Sequence, residues 1–484
     1  VSAKLVYALL PVLLNAAHVA ADGLPALPDA LQDPLQTLPE QRGAVAVLPG
    51  DQAPVYCPAE KDFNTPLLLS EAIDIALCNN AQVRAAWANI KGQAATLGLA
   101  RAAYLPSLKA SASPLNSHYQ YPGTGLHNVD TNAVTLYGNL TWRLFDFGGR
   151  AANMEAANWS MAQALAAQDA QLQKTLNAVI QAYFDAQTAS AVVQTKTDAE
   201  RLAGAILDTA TQRENRGVSG RNERLQAATA LAKATLGKNR AAGDFHKAVS
   251  VLVYALGLAA DTPIRLAEAD LAQLQTTELS EQRKDLRDWL EDTQKQHPAI
   301  IAAMAQVEAA RQKIATARAE GLPTLDLVVN AYQNGYPGQG VSLTQTRVET
   351  VGVTLTVPIF EGFATTYKIR SAQAQAEQSA AQLADTEQQT LMEVVKAYAD
   401  ATSSLQNLES STALLKAAQE ALDSSQRRYD KGAADILEML NTQTALADAG
   451  QERIKTVAEW RSARLRLLAS SGVLGRDRIE NAEK

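Results

Sequence analysis

The chain has 484 residues, 44 Lys and Arg against 51 Asp and Glu, a formal charge of −7 and two cysteines. Its basic residues are dispersed, which excludes the clustered positive footprint of a nucleic-acid binder. Length alone would allow about three globular domains, so the organisation must be read from pattern.

The chain begins Val1-Ser2-Ala3-Lys4, continues through an apolar run from Leu5 to Leu14, and reaches small residues at Val19-Ala20-Ala21. A positive residue, a short apolar core and a small-residue site predict a signal peptide over 1–21; a short buried helix is the competing reading. No later run of about 18 apolar residues follows, so no transmembrane helix is expected. Residues 22–66 hold eight of the seventeen prolines and little periodicity, the composition of an extended, partly disordered periplasmic arm. The cysteines are Cys57 in that arm and Cys78 in the first helical stretch. In an exported chain such a pair predicts a disulfide as the default; a pair of unlinked thiols is the competing reading. Neither cysteine follows the signal directly, which argues against a lipid anchor on cysteine.

A first repeat is expected over 67–258. Its opening helix runs from Ser70 through Val83, Trp87 and Ile90 towards Tyr104 and stops at Leu105-Pro106, where proline and its predecessor favour extended backbone. Next comes a β-hairpin over about 105–146. Val134, Leu136, Leu140, Trp142 and Leu144 alternate with Thr135, Tyr137, Asn139, Thr141 and Arg143. The incoming strand covers Ser107 to Ser113, and Tyr121-Pro122-Gly123 begins the turn. One apolar and one polar face over about 10 residues suits an outer-membrane barrel strand, and locally suits a soluble hairpin as well. From Gly123 to Thr262 there is no proline, so a very long helix is permitted. From Arg150 to Arg213 it would reach roughly 95 Å at about 1.5 Å per residue. Leu172, Leu176, Val179, Ile180 and Tyr183 form one helical stripe. A turn near 217 precedes the return helix, and 259–285 is a linker.

The second repeat, 286–473, restates the first. A shift of 215 superposes Leu140, Thr141 and Phe145 on Leu355, Thr356 and Phe360, and Arg213, Gly217, Glu223 and Leu225 on Arg428, Gly432, Glu438 and Leu440. Gly257 meets Gly472. Upstream the shift is 217, where Arg101, Leu105 and Pro106 meet Arg318, Leu322 and Pro323. Self-similarity held in one register marks a duplicated structural unit. Its short helix is expected from Leu286 to Glu320, its β-hairpin over about 323–360, its long helix to a tip turn near 432, then a return helix and a tail over 474–484.

Two hairpins give four strands. Bacterial single-chain barrels begin at about 8 strands, and open edges are not tolerated in lipid. Several copies must therefore share one barrel, and three chains of four strands each give a 12-stranded ring with long helices beneath it. The fold class expected is mainly α with a β-barrel part.

Two hairpins between short and long helices, closed by Phe145-Asp146-Phe147-Gly148-Gly149-Arg150 and Pro358-Ile359-Phe360-Glu361-Gly362, resemble the TolC family of outer-membrane factors. Arg213-Glu214-Asn215-Arg216-Gly217 and Arg428-Tyr429-Asp430-Lys431-Gly432 match that family's helix-turn-helix tips. The resemblance covers nearly the whole chain after about residue 67. It implies a homotrimer in the outer membrane whose barrel continues into a periplasmic α-helical tunnel. It also implies partners: a periplasmic adaptor, an inner-membrane ABC exporter or other pump, the exported substrate and outer-membrane lipid. Carried over by position, Gly217 and Gly432, with Arg216 and Lys431 beside them, are the turns that meet the adaptor. Glu438 and Asn441 fall where the family lines its closed entrance with acids, and only the first is acidic here. Tyr429 and Glu223 fall at positions that hold the coils shut. The basic member of that latch falls at Ala434, so Arg216, Arg221 or Lys431 would have to replace it, or the latch differs. Within the family the type I secretion branch, whose cargo includes RTX-type toxins such as cyclolysin, is expected; small-molecule efflux is the alternative. A structural periplasmic coiled coil is the reading from another class.

The five histidines are scattered without spaced carboxylate or cysteine partners, and no phosphate-cradling loop or nucleophile elbow occurs. No catalytic residue, metal or cofactor is expected.

Overall fold

The computed structural model describes residues 33–37, 57, 65–123, 127–267, 284–334, 346–475 and 479. The expected signal peptide, most of the arm, the end of the first hairpin tip, the whole second tip, most of the linker and most of the tail lie outside those residues. In chain order the elements are α1 (Leu69–Asn79), α2 (Ala81–Ala102), β1 (Ser107–Tyr119), β2 (Val129–Phe145), α3 (Gly149–Asn215) and α4 (Arg221–Leu256). They continue with α5 (Leu286–Gln296), α6 (Pro298–Ala319), β3 (Thr324–Gln333), β4 (Arg347–Thr356), α7 (Ala364–Asp430) and α8 (Ile436–Ser470).

The short helices differ from the sequence expectation: each is broken in two. Asn80 and His297, related by the 217 shift, are extended (φ −61, ψ 124 and φ −68, ψ 125) and cap the helix that follows. Asn80 Oδ1 accepts from the Gln82 N–H at 2.8 Å, and His297 Nδ1 accepts from the Ala299 N–H at 3.2 Å. At His297 the cause is legible, because Pro298 denies its predecessor helical backbone. At Asn80 the side chain supplies the cap and its amide also donates to the Ala255 carbonyl at 3.2 Å.

α3 and α7 each run for 67 residues, about 100 Å at 1.5 Å rise per residue. Near the strands α2 packs on α3, α3 on α6 and α6 on α7. Towards the other end the partners change: α3 pairs with α4, α7 with α8, and α8 also packs on α3. The main core sits where the two arrangements meet. Leu172, Leu176, Val179 and Ile180 of α3 are buried there with Ile73 of α1, Leu256 of α4, Val394 of α7 and Leu465 of α8. Tyr183 ends the stripe and donates its hydroxyl to the Leu67 carbonyl at 3.0 Å. Elsewhere the helices touch mostly through buried alanines such as Ala164, Ala203 and Ala210, whose small side chains permit close approach while the outer faces stay polar.

The four strands form one antiparallel sheet in the order β1-β2-β3-β4. Residues directly opposite share a face, so the register sorts every side chain. Tyr137, Asn139, Thr141 and Arg143 of β2 stand opposite Tyr332, Asn330, Val328 and Asp326 of β3. This face is bonded across the strands: Tyr137 Oη and Asn139 Nδ2 both donate to Asn330 Oδ1, at 3.0 and 2.9 Å, and Arg143 Nε donates to Asp326 Oδ1 at 2.9 Å. The other face aligns Leu108, Leu140, Val329 and Val351 across all four strands. On it Leu108, Val351, Val353 and Leu355 are between 59% and 75% exposed, an apolar surface that would not stay bare in water. β1 and β2 extend further than expected because polar pairs such as Asn116 with Asn132 continue the ladder beyond the apolar rows.

At the foot of the sheet Trp142 Nε1 donates to the Tyr104 carbonyl at 2.9 Å and the Arg150 guanidinium lies 4.8 Å from the Tyr104 ring centre. Among the described residues no helix is long and apolar enough to cross a membrane.

Candidate functional site at the helix tips

α3 and α7 end in the same backbone device. Gly217 and Gly432 take φ of +72 and +73, and the N–H three residues after each helix end returns to its last turn: Val218 to the Arg213 carbonyl at 2.9 Å, Ala433 to the Arg428 carbonyl at 2.8 Å. Glycine suits this position because it accepts left-handed backbone without a Cβ penalty. α4 then restarts at Arg221, and α8 at Ile436 behind Asp435, whose carboxylate accepts from the Leu437 N–H at 3.2 Å. The tips are held together by Ile206, Ala210, Ala227, Tyr429, Ile436 and Met439, all buried.

Tyr429 is the centre of this contact, 1% exposed. Its hydroxyl donates to Glu223 Oε2 at 3.5 Å, a long bond for such a pair. Burial and the Glu223 carboxylate push the hydroxyl above its ordinary pKa despite the opposing Arg213 charge. Tyr429 therefore stays a neutral donor. The basic partner is Arg213: its guanidinium lies 4.7 Å from the Tyr429 ring centre, and Nη1 donates to the Tyr429 carbonyl at 3.2 Å. This stacking ties the end of α3 to the end of α7.

Glu223 and Tyr429, paired in the sequence analysis, thus come together. Glu438 does not join them. It accepts from Arg428 Nη1 at 2.7 Å, within the second tip, while Arg428 Nη2 also donates to the Ala433 carbonyl at 3.3 Å. Asn441 is exposed on α8 without a side-chain bond among the described residues. Arg216, Arg221 and Lys431 are also exposed and make no ion pair among the described residues, so none of them is the basic neighbour of Tyr429. Ala434 packs against the Tyr429 cluster as an apolar residue. That neighbour is Arg213, which the 215 shift already marked by matching it to Arg428.

The duplication has diverged here. By position Arg213 and Glu223 correspond to Arg428 and Glu438, yet only the second pair is directly bonded. The first tip uses a neighbouring pair instead, with Arg224 Nε donating to Glu214 Oε2 at 2.5 Å. The corresponding residues of the second tip, Tyr429 and Met439, are apolar partners in the contact between tips. That exchange frees Arg213 and Glu223 to engage Tyr429.

Two further contacts lie away from the tips. Cys57 and Cys78 are joined, with Cα atoms 5.8 Å apart, which fastens residue 57 to α1. Arg101 Nη1 donates to the Leu35 and Gln36 carbonyls at 2.8 and 3.1 Å, which holds residues 33–37 beside the far end of α2. Among the described residues no cluster of His, Cys, Asp and Glu is arranged to hold a metal.

Helical tips, Ala-packed long helices and a sheet with one apolar face carry the features of one family. The model of that family, described as outer membrane efflux protein, matches residues 72–258 and 289–473. The chain belongs to the outer membrane efflux protein family. Among its relatives, protein CyaE of Bordetella pertussis is 35% identical over 434 residues, covering 89% of this chain and 90% of its own. The alkaline protease secretion protein AprF of Pseudomonas aeruginosa is 26% identical over 192 residues, 40% of each chain. The solved outer-membrane channel OprN shares the fold, with a TM-score of 0.74 at 18% identity, covering 89% of this chain and 99% of that one. As an outer membrane efflux protein, the chain places its four-stranded sheet in the outer membrane, apolar face to lipid, and its long helices in the periplasm. Members of this family are channels, and the tips described above are the end furthest from the sheet.

Proposed function

We propose that three copies of this chain form one passive duct for type I secretion. A polypeptide of the RTX-toxin type, cyclolysin being the model cargo, would pass from an inner-membrane ABC exporter through a periplasmic adaptor docked on the tips around Gly217 and Gly432. The observation that carries the reading is the pair of open edges. Among the described residues β1 and β4 end the sheet without partners, and a bare strand edge in lipid leaves each unpaired N–H and C=O several kcal/mol worse off. The open edges continue downwards: α2 and α7 flank the helical layer, and Leu99 on α2 and Tyr367 on α7 are 74% and 65% exposed. Joining β1 and α2 of one copy to β4 and α7 of the next removes all of these edges together, and three copies close a ring of twelve strands.

Protein cargo is supported by AprF, which its name describes as a protease secretion protein. The family description, efflux, favours small-molecule export as the competing cargo. Deleting the gene separates them. Under the protein-cargo reading a large polypeptide disappears from the culture medium, returns on complementation, and drug sensitivity is unchanged. Hypersensitivity to small toxic compounds with intact protein release would give the duct to efflux. A band that runs as a trimer in detergent and collapses to monomer only on heating supports the shared barrel; a monomer soluble without detergent would remove it.

A further inference from the structure

The charges of the sheet are unevenly matched. On the polar face Arg143 is bonded to Asp326. On the opposite face, towards the far end, Arg347 is bonded to Glu349 at 2.7 Å, and beyond the apolar rows His118 is bonded to Asp130. Lys109 remains. It stands opposite Asn139, so it projects from the face that carries Tyr137, Asn139, Thr141 and Asn330. It is exposed and makes no hydrogen bond or ion pair among the described residues. The strand that ring closure would bring against β1 is β4 of the next copy. On the polar face β4 offers Val348, Thr350, Gly352, Thr354 and Thr356, with no carboxylate. Lys109 would therefore stay unpaired in the closed ring, while Glu438 at the tip already has Arg428 as its partner.

We propose that Lys109 projects into the barrel lumen and, as a ring of one amine per copy, biases permeation towards anions. The inference rests on the trimeric-duct reading above. Its physical basis is Coulombic. Three like charges facing one lumen act across water at low salt, where the Debye length is about 30 Å at 0.01 M. At 1 M that length is about 3 Å, and the ring is screened out.

The test uses the purified full-length protein in planar bilayers, with the chloride-to-potassium permeability ratio taken from reversal potentials in KCl gradients. The expected result for Lys109→Gln is a fall in that ratio of about three-fold or more near 0.01 M, with little change near 1 M. Lys109→Glu lowers it further and Lys109→Arg leaves it unchanged. Lys109→Cys behaves like the Gln variant until a water-soluble cationic thiol reagent restores the charge and the ratio. A wild-type protein that gives no channels refutes the duct reading itself. Channels of normal conductance whose low-salt ratio is the same in wild type, K109Q and K109E overturn the assignment of Lys109. Heat-modifiable trimers confirm that each variant has folded.

Discussion

Replacing Arg213 by Ala should loosen the tips more than any change at Arg216 or Lys431. Arg213 makes two contacts across the tip, the stack on the Tyr429 ring and the bond to the Tyr429 carbonyl. A stacked guanidinium contributes about 0.5–2 kcal/mol, and a charged hydrogen bond about 1.5–3 kcal/mol. Allowing for partial exposure, their loss removes about 2–4 kcal/mol per chain from the closed arrangement. At about 1.4 kcal/mol per factor of ten, the population with separated tips rises about 30- to 700-fold. Tyr429→Phe removes only the 3.5 Å bond to Glu223, so its effect should be below about 1 kcal/mol. Single-channel recording in planar bilayers reads the difference: R213A opens to higher conductance, Y429F shifts slightly, and R216A and K431A match wild type. A double-mutant cycle of R213A with Tyr429→Ala should show strong coupling. If R213A kept wild-type conductance while R216A or K431A opened the channel, the assignment of the basic partner would be wrong.

The half of the molecule nearer the sheet yields three more expectations. Burial lowers the His297 pKa from its ordinary 6.5 to about 4, so the neutral ring that caps α6 is stabilising above pH 6.5 and that contribution is lost as pH falls towards 4. The full effect is about 3 kcal/mol. His297→Asn, the residue at the equivalent Asn80, should flatten the dependence of thermal stability between those pH values; an unchanged slope would clear His297. Gly257→Ala should cost more than about 2 kcal/mol, because the added Cβ would lie 2.7 Å from the Asn79 carbonyl oxygen on a backbone at φ +71. Gly217→Ala has the φ penalty without the clash and should cost about 1 kcal/mol; equal melting temperatures for the two would contradict this ranking. Removing the Cys57–Cys78 link, which closes a separation of 21 residues, should cost about 3 kcal/mol. Denaturation of Cys57→Ser with and without reductant tests it, since reductant should affect only the wild type.

Much of this molecule is written in short-range signals. Absent prolines and the Leu172-to-Tyr183 stripe mark long helices because a helix is disqualified or favoured by its own few neighbours. The alternation from Val134 to Leu144 marks a strand with two unlike faces for the same reason, and Gly217 and Gly432 mark turns because positive φ is a property of one residue. The duplication could be read without any structure, since a repeat is a statement about sequence itself.

Other features are decided by which distant surfaces meet. The breaks at Asn80 and His297 depend on side-chain caps in a packed setting, and only Pro298 announces one of them locally. At the tips the sequence presents two equivalent Arg–Glu pairs, and symmetry predicts equivalent behaviour. The tertiary structure gives Glu438 to Arg428 but spends Arg213 and Glu223 on Tyr429 of the other repeat. That choice follows from the crossing of α3 and α7, which brings residues 213 and 429 together across 216 positions of chain. A sequence states which side chains are available for such contacts. The packing of the long helices selects among them, because stacking and hydrogen bonding act only over a few ångströms.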